Sequence, residues 1–385
     1  MKKRIVMLII AIVVIFLSLH HLKQEFPDLT WPVISATKDP EAPSENGSPY
    51  KFYYEKLTSV EKQAYNMVLD KIYDMPDRIL VPDLDENQLD NVFRALLYDN
   101  PDLFFIGRKC TLKAELWNNY LSIDYIVTKD EYLKQKEELE TKCNEIIASL
   151  SNPQSDYQTE LEIHNYIIDH CTYKIVDKEY VYSSSYGCLI NGVAACEGYS
   201  KAAKLLFDKA GIESALISGT ATASQESGGA HMWNVVKIDG NYYHLDITWD
   251  DPVTTGKNLR LYTYFNVSDE EISKNHFDFS IDLGCSSSGA DYYSKNSLTF
   301  SNYSTNDNDK LGSILAEQYK SGERQIQIDF DNETSYNRAK KFLIEQSDIY
   351  QVLKDVTVNG NNLWNKFEGY LDGDSGSYTL TFIFK

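Results

Sequence analysis

Hydrophobic and polar positions change rhythm several times along the chain, and each change predicts an element. "MKKR" is followed by "IVMLIIAIVVIFLSL" (5–19), an unbroken apolar run behind three cations. That is the pattern of an export signal, and the run is shorter than the ~20 residues that comfortably span a bilayer. "HHLKQEF" after it offers no small-x-small cleavage site. Residues 1–26 therefore read as a signal-anchor rather than a cleaved signal peptide, with the remainder of the chain outside the cytoplasm. Residues 27–49 hold five prolines and turn polar in their second half, as an extended tether does.

From Tyr50 helical spacing takes over. "TSVEKQAYNMVLDKIYDM" (58–75) opens with Thr58 and Glu61 at capping-box spacing, and a second helix near 86–98 must stop before Pro101. "LSIDYIV" (121–127) alternates like a strand, and 129–150 is a long charged helix with Cys143 inside it. Residues 50–150 thus predict a small α/β domain. After "SNPQSD" (151–156) come the helix "YQTELEIHNYIIDHC", a helix after Cys196 that Gly211 ends, a strand at 213–221 and two more strands running to Trp249. Residues 291–385 predict another small α/β domain, with strand 325–330, helix 335–346 and two strands around 372–377. The middle segment, 151–290, is predicted to be α+β, a cysteine-bearing helix packed on an antiparallel sheet.

Composition narrows the function. With 385 residues, 43% apolar and 13% aromatic, the chain is globular and long enough for two or three domains. A net charge of −20 argues against binding to nucleic-acid phosphates, which needs a clustered basic surface. The six cysteines (110, 143, 171, 188, 196 and 285) form no CxxC pair, so zinc-ribbon and thioredoxin spacings are absent.

Cys196 stands out because helical periodicity begins directly after it. A thiol at a helix N-terminus meets unpaired N–H groups and the positive end of the dipole, both of which favour thiolate. Its candidate partner lies in "GGAHMWNVVKIDGNYYHLDITWDDP" (228–252), where Asp239–Gly240 is a strong hairpin turn. With those two as turn residues, Ile238 opposes Asn241, Trp233 opposes Asp246, and His231 faces Thr248. His231, Trp233, His244, Asp246 and Thr248 then share one face, with His231 and Asp246 diagonal neighbours within side-chain reach. Nucleophile, base and orienting carboxylate would meet on one hairpin and one helix. A metal set of Cys196, His231, His244 and Asp246 is the weaker use of the same residues, because zinc ligands are usually spaced more tightly. Glu197 reads as a first-turn dipole partner, and His164 and His170 as ordinary helix histidines. Residues 221–230 are either a gating loop or a plain strand connection.

"CEGYSKAAKLLFDKAGI" and "HMWNVVKIDGNYYHLDITWDDP" resemble the core of the transglutaminase-like superfamily: Cys-x-Gly-Tyr-Ala at a helix start, His-x-Trp-Asn on a strand, Leu-Asp-x-Thr-Trp on the next. "SYGCLINGVAAC" and "IHNYIIDHCTY" resemble the stretch upstream, so the likeness covers about 160–252. Ser200 replaces the usual alanine, a departure expected to be trivial. The resemblance implies a papain-like fold, with Cys196 as nucleophile, His231 as base and Asp246 as orienter, and no metal or organic cofactor. Tyr186 falls where related bacterial sequences often have a tyrosine, so it is a candidate second oxyanion donor beside the Cys196 N–H. Trp233 and Trp249 either wall the pocket or pack the hairpin core. The implied activity is acyl transfer on amides of protein or peptide substrates through a thioester. Peptidase or deamidase chemistry is slightly favoured over crosslinking. The alternative is a non-catalytic cell-surface binding or scaffold module on the same fold. The N-terminal segment makes the membrane a partner, and the expected location is outside the cell, anchored, or secreted if the signal is cleaved.

Overall fold

Local chemistry sets the boundaries of the helices in the computed structural model. It describes residues 49–115, 118–151, 155–174, 180–222, 228–252, 259–373 and 377–385. The N-terminal apolar run, nearly all of the tether, and residues 223–227 of the candidate gating loop lie outside the described residues. Among the described residues no helix is long and apolar enough to cross a membrane. Helix Ser59–Ile72 starts at Thr58, whose N–H donates to the Glu61 carboxylate at 2.7 Å. Helix Glu86–Asp99 carries the same reciprocal device on Asp85 and Gln88, and helix Lys129–Ser149 on Thr128 and Glu131. Each such cap satisfies first-turn N–H groups and is worth about 1 kcal/mol. Cys143 is fully buried within its helix.

Among the described residues, three sheets have three or more strands, and two further strand pairs, 172–173 with 193–194 and 357–358 with 361–362, stand apart. The first is antiparallel, with 119–125 between 79–81 and 106–114. The second has five antiparallel strands in the order 276–277, 214–221, 229–238, 241–245, 265–267. The third pairs 299–300 parallel to 325–330, which continues antiparallel to 379–384 and 367–372. Helix Cys196–Ala210 packs on the five-stranded sheet, and its buried face includes Tyr199, Ala203, Leu206 and Phe207. One continuous buried core runs from Tyr53 to Phe384.

Several boundaries differ from the sequence expectation. The predicted strand to Trp249 ends at Leu245, and Ile247–Asp250 is a helical turn. Asp246 causes the change, since its carboxylate accepts from the Thr248 and Trp249 N–H groups and caps a turn instead of extending a ladder. Thr248 therefore leaves the strand face on which it was expected opposite His231. The helix expected at 335–346 is α-helical over Glu333–Lys340 and continues as a π-helical turn, Lys341–Glu345. Helix Asn308–Ser321 and the edge strands Phe265–Val267 and His276–Phe277 had no counterpart in the periodicity reading.

Candidate active site

The site is assembled where the Cys196 helix meets the 229–238 strand. Cys196 is the first helical residue, and the capping position is Ala195, whose side chain can accept nothing from the first turn. The chain at 180–184 lies directly over this helix start: the Ala195 N–H donates to the Tyr182 carbonyl at 2.8 Å. A Cβ at Gly198 would sit 2.7 Å from both the Tyr182 carbonyl oxygen and the Ala194 methyl. The glycine two residues after the cysteine is what lets these segments close against the helix start.

Two polar clamps join helix and strand. The Ser200 hydroxyl lies 2.9 Å from the carbonyls of both Cys196 and Met232, and the Asn234 amide donates to the Ser200 carbonyl at 3.0 Å. Ser200 is thus more than the trivial departure expected, because its hydroxyl ties the cysteine's own carbonyl to the residue after His231.

The hairpin register is Ile238 with Asn241 through Asn234 with Leu245, closed by Asp239 and Gly240 at φ 51° and 85°. Beyond Leu245 the capped turn swings Asp246 under the sheet. His231 Nε2 meets Asp246 Oδ2 at 2.6 Å, and the Cys196 side chain also favours the charged form of the ring. Asp246 is completely buried, and its four bonds come from His231, His276, Thr248 and Trp249. Burial alone would raise its pKa, but the charge and hydrogen bond of His231, and the bond from His276, hold it well below the usual carboxylate range. Burial likewise opposes charging His231, yet Asp246 and Cys196 outweigh it and push its pKa up to about 10.

Residues 144–247, which span all three of these side chains, match the model of the transglutaminase-like superfamily. This segment is a transglutaminase-like domain. Solved structures similar to the chain include a TGase at 17% identity, covering 49% of this chain and 54% of that one, with a TM-score of 0.27. A suspected cysteine protease from Cytophaga hutchinsonii matches at 11% identity over 36% of this chain and 61% of its own, with a TM-score of 0.24. A suspected protease from Parabacteroides distasonis matches at 10% identity over 36% and 35%, with a TM-score of 0.24. The chain therefore spans between 35% and 61% of the length of these three proteins. No curated protein matches it.

The other candidates take distinct places around the transglutaminase-like domain. The Tyr186 hydroxyl donates to Glu138 at 2.6 Å and its ring stacks on Phe104, so that hydroxyl is committed to the long charged helix and not to Cys196. Trp233 is fully buried, with Nε1 donating to His244 Nδ1 at 3.0 Å and its ring nearly parallel to His231. Trp249 is half-buried, and its ring lies 5.8 Å from His231 and 4.7 Å from His276. His244 Nε2 is bonded to Asp269 at 2.9 Å, so both its nitrogens point away from the metal set considered above. Glu197 is paired with Lys201 and Arg108; burial is outweighed by those two cations, which keep it ionised. Arg108 lies on the strand Ile106–Ala114, so the first sheet braces the residue beside Cys196. His164 is fully buried against Asp250, while His170 stacks on Tyr166 at the surface.

The sequence reading missed His276. It reaches Asp246 from a two-residue strand at the sheet edge, too short to show any periodicity. "NHFDF" carries only the faint cue of a histidine alternating with aromatics.

Proposed function

We propose that the segment 151–290, on a papain-like fold, is a cysteine-dependent acyl-transfer enzyme acting on amide bonds of protein or peptide substrates. The observation that carries this reading is His231, bonded to a buried carboxylate, with its charged form favoured by the Cys196 side chain. Cys196 as thiolate attacks the amide carbonyl, with its own N–H at the helix start stabilising the oxyanion. The C–N bond then breaks, His231 protonates the departing amine, and a thioester remains. Water or a second amine attacks that thioester, His231 taking its proton, and the thiolate is restored. Hydrolysis, as peptidase or deamidase, is favoured over crosslinking, since a crosslinker must also keep water from the thioester. Three cations before the apolar run 5–19 support export, with the enzyme anchored at the membrane and facing outside, or secreted if the signal is cut.

The test is the pH dependence of iodoacetamide labelling at each cysteine, read by peptide mass spectrometry, on wild type and His231→Ala. Cys196 should label fast well below the ordinary thiol pKa of about 8.5, and His231→Ala should abolish that advantage. Labelling of Cys196 no faster than in His231→Ala would make this a binding module that lacks the chemistry. Ammonia release from a carboxamide peptide, against incorporation of an added primary amine, then separates hydrolysis from transfer.

A further inference from the structure

We propose that His276 is a positioning residue of this site, holding Asp246 from a second side and setting how strongly that carboxylate retains the proton on His231. The inference rests on the acyl-transfer reading and deepens it. His276 is completely buried, and its Nε2 lies 3.0 Å from Asp246 Oδ2, the same oxygen that His231 approaches at 2.6 Å. A carboxylate oxygen only accepts, so His276 Nε2 carries a proton and donates it. Its Nδ1 meets Asn275 Oδ1, an acceptor, at 2.6 Å, and the Asn275 amide N–H donates to the Tyr264 hydroxyl at 2.7 Å. One hydrogen-bonded line thus runs from Tyr264 through Asn275, His276 and Asp246 to His231, whose charge Cys196 also favours.

The ring is fixed on every side. Trp233 meets it edge-on at 4.9 Å, Trp249 is tilted against it at 4.7 Å, and Tyr264 lies at 5.6 Å. The strand that carries it pairs His276 with Ala221 and Phe277 with Thr220. That approach needs Gly219, where a Cβ would stand 2.4 Å from the Phe277 carbonyl oxygen and 2.8 Å from the Trp233 ring. A phenylalanine could fill this space equally well; what imidazole adds is an N–H aimed at Asp246.

Two donors on one oxygen share its charge. The second donor disperses the negative charge that would otherwise act on His231 alone, and it locks the carboxylate in the orientation the His231 bond requires. Loss of the donor therefore strengthens the hold of Asp246 on the imidazolium proton. The other titratable groups facing this line are Cys196 and Tyr173 near Asp246, Asp250 behind it, and His244 beside His276. The variants below leave all four in place.

The experiment measures Cys196 alkylation against pH in wild type, His276→Phe and His276→Gln, the amide of glutamine standing where Nε2 was. In His276→Phe the alkaline limb, where His231 loses its proton, should move up by roughly one pH unit, the worth of one hydrogen bond to a charged group. His276→Gln should return the limb towards wild type. A folded His276→Phe whose limb does not move overturns the proposal. If that variant does not fold, ¹⁵N NMR of the wild-type imidazoles decides. A protonated His276 Nε2 whose downfield proton is lost in Asp246→Asn supports the proposal, and an unprotonated Nε2 overturns it. Stoichiometric metal on the purified protein also overturns it, because His231, Asp246 and His276 offer three ligand atoms within 4.8 Å of one another and a ligating Nε2 cannot donate. Wild type with no low-pH advantage at Cys196 refutes the acyl-transfer reading itself; wild type with the advantage and an unmoved His276→Phe limb refutes only the role of His276.

Discussion

Two groups of cysteine, histidine and aspartate stand on either side of the Trp233 ring, and they are built for opposite ends. On one side are Cys196, His231 and Asp246. On the other, His244, Asp269 and Cys285 bring a ring nitrogen, a carboxylate oxygen and a sulfur within 4.8 Å of one another. The residue types are the same, and the difference lies in what the second imidazole nitrogen meets. In His231 one nitrogen faces Asp246 and no donor occupies the other among the described residues, so both can carry protons and the ring can be an imidazolium, which Asp246 and Cys196 favour. In His244 the Trp233 N–H donates into Nδ1, which must keep its lone pair, so the single proton sits on Nε2 and goes to Asp269. Such a ring can neither activate Cys285 as an imidazolium nor offer Nε2 to a metal. The carboxylates differ too, since Asp246 is fully buried while the Asp269 side chain is 40% exposed and its charge is screened. Burial, then the charges of Asp269 and Asp282, push the Cys285 thiol up and away from reactivity. A composition of chemical groups is therefore no site until its tautomers and burial are fixed.

The sharpest way to break this contrast is to remove each carboxylate's charge in turn. Under the proposed mechanism, Asp246→Asn should cut acyl transfer by about 10⁴-fold, the loss known when the orienting acid of a triad becomes an amide. The same change at Asp269 should leave the rate within about twofold. Because His231 owes its pKa of about 10 to Asp246 and Cys196 against the pull of burial, Asp246→Asn should also bring its alkaline limb down. Equal losses in the two variants, measured with a carboxamide peptide, would mean that both groups belong to one network and that the contrast is false.

How much of this contrast was legible in the sequence depends on how far each contact lies along the chain. The Asp239–Gly240 turn fixes the register locally, so the pairing from Ile238 with Asn241 to Asn234 with Leu245 followed from the turn, while the contact of His231 with Asp246 is completed by the capped turn beyond Leu245. The helix start at Cys196 was equally local. Asp246 as the cap of a turn was less accessible, because strand alternation and capping compete at one residue and tertiary packing decides. His276, 30 residues from its partner and carried on a two-residue strand, leaves no periodic trace. Tyr186 shows the converse, a position suggested by likeness whose hydroxyl the long helix claims through Glu138. The two edge strands of the central sheet escaped notice for the same reason as His276, being three and two residues long.

A smaller effect should follow from Gly198, which serves only the first group. Alanine there must displace the Tyr182 carbonyl or the Ala194 methyl, both 2.7 Å from the new Cβ. Overpacking of this kind costs about 1–3 kcal/mol. Gly198→Ala should lower the melting temperature measurably and slow Cys196 alkylation, while Cys285 alkylation in the folded protein stays as in wild type. If both cysteines change together, the segment at 180–184 is not a local cover for Cys196.

The last effect separates the two histidines by sign. His231 has a raised pKa, so in the unfolded chain, at about 6.5, it releases its proton before the folded protein does. Its contribution to stability is complete below about 6.5 and is lost as pH rises through about 10. His244 runs the other way. Burial outweighs Asp269 and lowers its pKa, so below about 6.5 the unfolded chain takes up a proton that the folded ring resists, and stability falls as pH falls. Melting curves from pH 5 to 10 should therefore show His231→Ala losing its deficit relative to wild type towards the alkaline end. His244→Phe should improve relative to wild type towards the acid end, by about 2 °C, on top of a constant cost for the lost Trp233 bond. Two difference curves sloping the same way would show that the rings share one electrostatic environment, and that Trp233 does not divide them.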